Sequence, residues 1–110
     1  MFPTLTKQAD FAAVYAGQKQ VSKSFVLFYL PHAEFRYAVV ASKKTIGNAV
    51  QRNRAKRLLR ELVRFADTST SLSARLKGRL ILVARAGTLK NKFAELQAEL
   101  EKCLKNWLSV

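Results

Sequence analysis

The sequence predicts a small α+β fold, in which one mixed sheet is packed with helices. The first observation is that short runs rich in β-branched and aromatic residues alternate with segments of helical periodicity. The second is a long helical segment between two strand-like runs, which indicates a crossover between parallel strands. The third is the length, because 110 residues favour one domain, residues 1–110.

The first helix is predicted within LTKQADFAAVYAG, and it ends near Gly17. Phe11, Val14 and Tyr15 fall on one face of this helix at helical spacing. The next run, SFVLFYLP, has the composition of a strand and stops at Pro31. Its bulky side chains lie on both faces of the strand. Since one face must meet the helices, the other is a candidate for a partly open groove.

A second strand is predicted in FRYAVVASKK, after the turn PHAE. Its two faces alternate in sequence, with Phe35, Tyr37, Val39 and Ala41 on one and Arg36, Ala38, Val40 and Ser42 on the other. We expect strands 25–30 and 35–42 to pair as an antiparallel hairpin.

The longest helix is predicted from about Asn48 to Ala66, with Asn48 as a plausible N-cap. Its apolar face comprises Ala55, Leu58, Leu59, Leu62, Phe65 and Ala66. Cations repeat every four residues along another face, which comprises Arg52, Lys56, Arg60 and Arg64, with Arg57 beside them. We call Arg52, Lys56, Arg60 and Arg64 the cationic ladder.

The rest of the chain is predicted to form a polar loop, DTSTSLSARLKG, a buried strand, RLILVARAG, and a final amphipathic helix, TLKNKFAELQAELEKCLKNWL. The helix is expected to bury an apolar stripe of Phe93, Leu96, Leu100, Cys103 or Leu104, and Trp107. Its acids Glu95, Glu99 and Glu101 are interpreted as solvent-exposed charges.

The charge of the chain is strongly unbalanced. The 20 Lys and Arg residues face 7 Asp and Glu residues, which gives a net charge of +13. Such a field attracts polyanions, so nucleic acid is the favoured partner and an anionic membrane surface a distant second. No apolar run approaches the ~20 residues needed to span a bilayer, and MFPTLTKQAD lacks the features of a secretory signal. We expect a cytoplasmic protein.

The sequence offers little for catalysis by its own side chains. Acid–base catalysis needs paired carboxylates or a His with an orienting acid, whereas the first sixty residues contain only Asp10 and Glu34 as acids. One Cys and one His provide neither a disulfide framework nor a zinc cluster. Cys103 is interpreted as a core residue and His32 as a surface loop residue. We therefore expect no catalytic residue and no metal site on the chain.

The segment from Lys43 to Arg64 contains eight cations and a single acid, Glu61. A charged helix face exposed only to water normally mixes signs at i,i+4 spacing, because like charges at that spacing destabilise the helix. A bound phosphate backbone would reverse this repulsion, so the segment predicts nucleic-acid binding. Gly47 and Asn48 allow two interpretations, a simple turn and cap or a direct RNA contact.

Aromatic residues at Phe11, Tyr15 and Phe28 also allow two interpretations. Such clusters are usually core, but aromatic faces beside Lys and Arg are also how single-stranded nucleic acid is bound without sequence preference.

The run SKKTIGNAVQRNRAKRLLRE resembles the motif of the bacterial ribonuclease P protein subunit family. The matching features are paired lysines after a strand, then GNAV, then RNR followed by KR and RE. DFAAVYAG is similar to the first helix of that family, and LILVARAG supports the likeness, which covers almost the whole chain.

The resemblance implies a four-stranded mixed sheet with three helices in the order α-β-β-β-α-β-α, with a short extra strand near Val21. It also implies a fold like that of ribosomal protein S5 domain 2, with a left-handed βαβ crossover.

The resemblance further implies an accessory subunit of the ribonucleoprotein endoribonuclease ribonuclease P, which removes the 5′ leader of precursor tRNA. In that family the RNA subunit is the catalyst and uses Mg²⁺. The implied partners are ribonuclease P RNA, in a 1:1 complex, and precursor tRNA, without DNA or membrane. A ribosomal or other structural RNA-binding protein without processing activity is the alternative.

The resemblance also implies two sets of site residues. The residues expected to bind the catalytic RNA are Lys44, Asn48, Arg52, Asn53, Arg54, Lys56, Arg57 and Arg60. The residues expected to bind the precursor-tRNA leader are Phe11, Tyr15 and Phe28, with Ser42 and Lys43 at the end of the groove and Arg85 near it.

Overall fold

A four-stranded sheet with the strand order β1-β2-β4-β3 is the centre of the fold. The computed structural model describes residues 8–105 and 107. The strands are β1 (Gln18–Val21), β2 (Phe25–Pro31), β3 (Arg36–Val40) and β4 (Gly78–Ala84). The helices are α1 (Gln8–Tyr15), α2 (Lys43–Ile46), α3 (Ala49–Thr70), α4 (Leu72–Arg75), α5 (Ala86–Lys90) and α6 (Phe93–Leu104). The predicted start of the first helix, before Gln8, lies outside the described residues.

The predicted hairpin between strands 25–30 and 35–42 is wrong. Strand β4 lies between β2 and β3, antiparallel to β2 and parallel to β3. The physical reason is that β4 has apolar side chains on both faces, including Leu80, Ile81 and Leu82, all fully buried. Such a strand is best buried in the middle of a sheet. The extra strand near Val21 is confirmed as β1, which pairs with β2, and the parallel crossover through α3 is confirmed.

The two faces of the sheet are covered very unequally. One face packs against α3 and α6 in a large core that includes Phe25, Leu27, Leu59 and Leu100. The other face has a much smaller core, formed by Val14 of α1 with Ala38 and Ile81, against which Phe11, Phe28, Leu30, Val40 and Val83 pack while only partly buried. Among residues 8–105 and 107, α1 is thus the one helix that contributes to the core on this second face.

Helix α3 begins as predicted but extends beyond Ala66. The Asn48 side chain is its N-cap, because Oδ1 accepts a hydrogen bond of 2.9 Å from the Gln51 amide. The helix continues to Thr70, and within its last turn Thr68 and Ser69 donate their hydroxyl protons back to the carbonyls four residues earlier. The predicted polar loop is therefore partly helical.

Burial explains the helical structure that follows α3. Leu72 and Leu76 are fully buried and attach α4 to the core. Along α3 itself, Val63 is buried, whereas Phe65 is 48% exposed and was wrongly expected in the core.

The predicted final helix is in fact two helices, α5 and α6, separated at residues 91–92. Asn91 ends α5 in an extended conformation, and its side-chain amide donates to Ser24 Oγ at 2.5 Å. The apolar stripe of α6 is confirmed, since Leu96, Leu100, Cys103 and Leu104 are all buried. Trp107 stacks on Tyr29 with ring centroids 5.2 Å apart, so the end of the described chain is attached to β2.

Glu99 was interpreted as a solvent-exposed charge, and this is wrong. Its Oε1 accepts hydrogen bonds from Ser22 Oγ at 2.6 Å and the Ser24 amide at 3.0 Å, and its Oε2 accepts one from Ser24 Oγ at 2.5 Å. Burial by itself would raise the pKa of this carboxyl. The hydrogen bonds from Ser22 and Ser24, together with the positive charge of Lys23, outweigh burial and lower its pKa.

Glu99→Gln should therefore weaken the dependence of stability on acid pH. A carboxyl whose pKa is lowered by folding stabilises the fold above its unfolded pKa, near the ordinary value of 4.5. This contribution is lost as the pH falls through the folded pKa. In urea titrations below about pH 5 the free energy of unfolding should fall more steeply for the wild-type chain than for E99Q. Glu101→Gln, at an exposed position of the same helix, should keep the wild-type slope, and an equal slope for E99Q would contradict this prediction.

Candidate nucleic-acid interface

The cationic ladder runs along α3 from the edge of the core to the open surface. Successive positions at i+4 shift by about 40° around a helix with 3.6 residues per turn. Arg52 and Lys56 are accordingly half-buried at the margin of the apolar stripe, whereas Arg60 and Arg64 are exposed. The apolar stripe thus holds the helix on the sheet and presents the ladder on one flank.

The ladder faces the β3 side of the sheet. Burial raises the pKa of the Tyr37 hydroxyl in β3, and the positive charges of Arg60 and Arg64 oppose this rise. The single acid of the segment lies beside the ladder, because Glu61 Oε1 is 3.5 Å from Arg57 Nε. Arg60 and Arg64 thus act on β3, which is an edge strand of the sheet.

The remaining residues of the predicted RNA-binding set surround the start of α3. Lys44, Asn53, Arg54 and Arg57 are exposed. Asn48 is also exposed, and its side chain serves as the N-cap, which supports the structural interpretation of this residue and leaves its amide nitrogen at the surface. Gly47 has a φ of 118°, a conformation in which an L-residue is strained, so glycine is required there for the turn.

A second surface is formed by α1 and the less covered face of the sheet. Tyr15, 41% exposed, meets Phe28 of β2 edge to face with ring centroids 4.8 Å apart. Phe11 lies one turn earlier, with its ring centroid 6.5 Å from that of Tyr15. The structure thus brings together the three aromatic residues that the sequence singled out, and it leaves Tyr15 accessible for stacking.

The floor of this surface continues beyond the three aromatic residues. Strand register places Val26, Val83 and Val40 side by side across three strands, and all three are only partly buried. We call the surface formed by Phe11, Tyr15, Phe28 and these three valines the aromatic groove. Val83 was missed as a groove residue, although the alternation of inward and outward residues in RLILVARAG could have indicated it.

Lys19 is a further groove residue that the sequence analysis missed. Its ammonium nitrogen is 5.7 Å from the centroid of the Phe28 ring, a cation–π distance. It lies opposite Phe28 in the β1–β2 ladder. The sequence provides little indication of this role, because β1 (QKQV) has only four residues and is mostly polar. Its pairing with β2 could therefore not be predicted.

One end of the aromatic groove meets the start of α2. Ser42 follows the end of β3 and is the N-cap of α2, with its Oγ accepting from the Thr45 amide at 3.1 Å. Lys43 is exposed at the first position of this short helix. Since α2 leads directly through Gly47 into α3, the aromatic groove and the cationic ladder are joined by residues 42–48.

Arg85 lies just beyond β4, next along the chain from Val83 and Ala84. Its guanidinium Nη1 donates to the Ser22 carbonyl at 2.8 Å, and the residue remains exposed. Alternate residues of a strand lie on the same face, so continuing the alternation of β4 by one residue puts Arg85 on the face of Ile81 and Val83. Arg85 therefore follows the groove strand β4 directly and contacts the β1–β2 turn, while its role in leader binding stays a prediction.

The chemistry of these surfaces is that of binding. Burial raises the pKa of Tyr15, so this ring is neutral near pH 7 and adds no negative charge beside a bound nucleic acid.

Within residues 8–105 and 107, no three His, Cys, Asp or Glu side chains come together as possible metal ligands. Among the helices of the same residues, none is long and apolar enough to cross a membrane.

Comparison with known sequences identifies relatives of the whole chain. The family model described as Ribonuclease P matches residues 2–107. The ribonuclease P protein component of a Nitratiruptor species is 41% identical over 102 residues, which cover 92% of this chain and 88% of the relative. That of Staphylococcus carnosus is 33% identical over 105 residues, with 92% and 86% covered.

Solved structures show the same architecture. The RNase P protein of Staphylococcus aureus superimposes with a TM-score of 0.77 at 30% identity, covering 96% of this chain and 95% of that one. The RNase P protein from Thermotoga maritima has a TM-score of 0.76 at 22% identity, covering 94% and 96%. This second likeness concerns the fold alone, and it agrees with the predicted α+β class.

Proposed function

The chain belongs to the bacterial ribonuclease P protein family, which acts in tRNA processing, and from this premise we propose how it divides its work between two surfaces. The cationic ladder binds the catalytic RNA subunit, and the aromatic groove binds the 5′ leader of precursor tRNA. The observation that supports this division best is that two chemically different surfaces, one cationic and one aromatic, meet at residues 42–48.

The ladder suits a folded RNA because it presents charge in a fixed line. Arg52, Lys56 and Arg60 follow one another at i+4 spacing, about 6 Å apart along a helix axis with a 1.5 Å rise. Guanidinium groups bind phosphate oxygens in a bidentate manner. Exposed neighbours that extend this surface are Lys44, Asn48, Asn53, Arg54 and Arg57.

The aromatic groove suits single-stranded RNA because it offers aromatic rings and apolar side chains for base stacking, with a few cations beside them. Exposed rings such as Tyr15 stack on bases of any sequence. Phe28 supports Tyr15 edge to face, while Lys19 lies over the Phe28 ring. Lys43 and Arg85 are exposed, and we propose that they bind phosphates at the margins of the groove.

Catalysis itself is assigned to the RNA subunit. The described residues hold no group of acids suited to Mg²⁺, so we propose that the ion is bound by RNA, where it supplies the activated water for phosphodiester hydrolysis. The contribution of this chain is to hold two polyanions together. Its net charge of +13 lowers their mutual repulsion. We propose that it works in the cytoplasm, one protein to one RNA subunit.

Reconstitution tests the proposal as a whole. The purified chain, added to a bacterial ribonuclease P RNA at a Mg²⁺ concentration at which the RNA alone is nearly inactive, should restore cleavage at the mature 5′ end of precursor tRNA. The measurement is the rate of leader release on a denaturing gel. Cleavage by the chain without RNA, or no stimulation by the chain, would show that the proposal is wrong.

Arg52→Ala and Lys56→Ala should each weaken binding to the catalytic RNA and make that binding less sensitive to salt. Each lost phosphate contact reduces the slope of log K against log salt by roughly 0.7–0.9. Filter-binding titrations at several KCl concentrations measure the slope. Lys102→Ala is the matched control, because it removes one exposed charge from α6 and should leave the slope unchanged.

Tyr15→Ala and Phe11→Ala should weaken the binding of precursor tRNA with a long leader and spare leaderless tRNA. The expected loss is about 1–3 kcal/mol per stacked base, measured as the ratio of the two affinities for the holoenzyme. Phe65→Ala removes a half-exposed aromatic ring outside the groove and should leave the ratio intact. An equal loss for both ligands in Tyr15→Ala would exclude leader binding in the groove.

A further inference from the structure

We propose that Glu99 is a positioning residue that fixes Arg85 at the end of the aromatic groove, although it lies on α6, on the opposite side of the sheet. The inference rests on the proposed function, since it assigns a role in leader binding. It starts from a carboxylate that makes three hydrogen bonds, all to one short turn.

The turn in question joins β1 to β2 and comprises residues 22–25. It is closed by a hydrogen bond of 2.9 Å from the Ser22 amide to the Phe25 carbonyl. Glu99 accepts from both serine hydroxyls and from the Ser24 amide, at 2.5 to 3.0 Å. Asn91 adds a fourth contact by donating to Ser24 Oγ. Glu99 of α6 and Asn91, which lies between α5 and α6, therefore both hold the turn.

The turn, held by Glu99 and Asn91, in turn holds Arg85. The Ser22 carbonyl accepts from Arg85 Nη1 at 2.8 Å. The backbone of Arg85 is held as well, because its amide donates to Thr88 Oγ1 at 3.2 Å, and the Thr88 hydroxyl donates to the Ser24 carbonyl at 2.6 Å. Both ends of this arginine are thus tied to the segment that Glu99 holds. Ser24 and Thr88 are fully buried, which makes these contacts rigid.

The arrangement keeps the charge of Arg85 available. A carboxylate paired directly with the guanidinium would neutralise it, whereas Glu99 acts through a neutral carbonyl. Arginine has five N–H donors, and the contact with Ser22 uses one nitrogen, so the exposed guanidinium keeps donors for a phosphate. A fixed side chain also loses less conformational entropy on binding than a free one, which increases affinity.

Arg85 is placed where a leader phosphate would pass. It continues the face of β4 that contains Ile81 and Val83, and Val83 lies between Val26 and Val40 in the sheet register. The guanidinium therefore lies beyond the valine row at the end of the groove floor. An anionic strand stacked on Tyr15 and lying over the valines has its backbone within reach of this end.

The test is a double-mutant cycle between Glu99→Gln and Arg85→Ala in the reconstituted holoenzyme. Glutamine keeps the shape of the side chain but turns an N–H donor toward the serine donors. The readout is the ratio of affinities for precursor tRNA with a long leader and for leaderless tRNA, measured at a temperature at which circular dichroism shows each variant folded. Glu101→Gln is the matched control for the loss of one acid.

We expect E99Q to lower the ratio by about threefold to tenfold, less than the full value of a charge-assisted hydrogen bond. It should have no further effect in the R85A background, because coupled residues are non-additive. Ser22→Ala, which removes one of the three hydrogen bonds and keeps the carboxylate, should give a smaller loss of the same kind. Glu101→Gln should behave as the wild type.

Two outcomes would overturn the inference while the proposed function stands. The first is an unchanged ratio in E99Q when Tyr15→Ala lowers it. The second is that the effects of E99Q and R85A add, which would mean that Glu99 only stabilises the fold. If neither Tyr15→Ala nor R85A changes the ratio, the assignment of the leader to the groove is wrong, and this inference fails with it.

Discussion

The burial of β4 between β2 and β3 is the constraint on which the rest of the structure depends. Leu80, Ile81 and Leu82 are fully buried on its two faces, so each side of the sheet has a core. Helices α3 and α6 cover one side fully. The described part of α1, Gln8–Tyr15, is about 12 Å long, and its Val14 packs on Ala38 and Ile81 on the other side. The aromatic groove is the part of the sheet that α1 leaves accessible.

The cationic ladder can be tolerated because α3 is held by packing rather than by its own charges. Like charges at i,i+4 spacing cost roughly 0.2–0.5 kcal/mol per pair. Burying a single Leu side chain gains about 1.5–3 kcal/mol, and α3 buries Ala55, Leu59, Leu62, Val63 and Ala66. The free protein thus retains a repulsive surface at small cost, and a bound polyanion relieves the repulsion.

Local patterns predicted most elements, and contacts between distant residues account for the errors. The N-cap at Asn48 and the two faces of β3 follow from neighbouring residues, and both are confirmed, since Tyr37 and Val39 belong to one core and Ala38 and Val40 to the other. The pairing of β2 with β4 joins residues about fifty positions apart, so no local signal opposed a hairpin. Glu99 looked like a surface acid because its partner Ser22 is 77 positions away. The ladder and the three aromatic residues were predictable, but the turn that holds Arg85 was not.

The short segment between the groove and the ladder, residues 42–48, connects the two surfaces directly. Ser42 and Asn48 each cap a helix, and Gly47 between them has a φ that other residues adopt only with strain. The two caps and this glycine define the path of the chain between α2 and α3. For the function proposed above, the consequence is that the backbone of residues 42–48 sets the spacing between an RNA bound on the ladder and a leader bound in the groove.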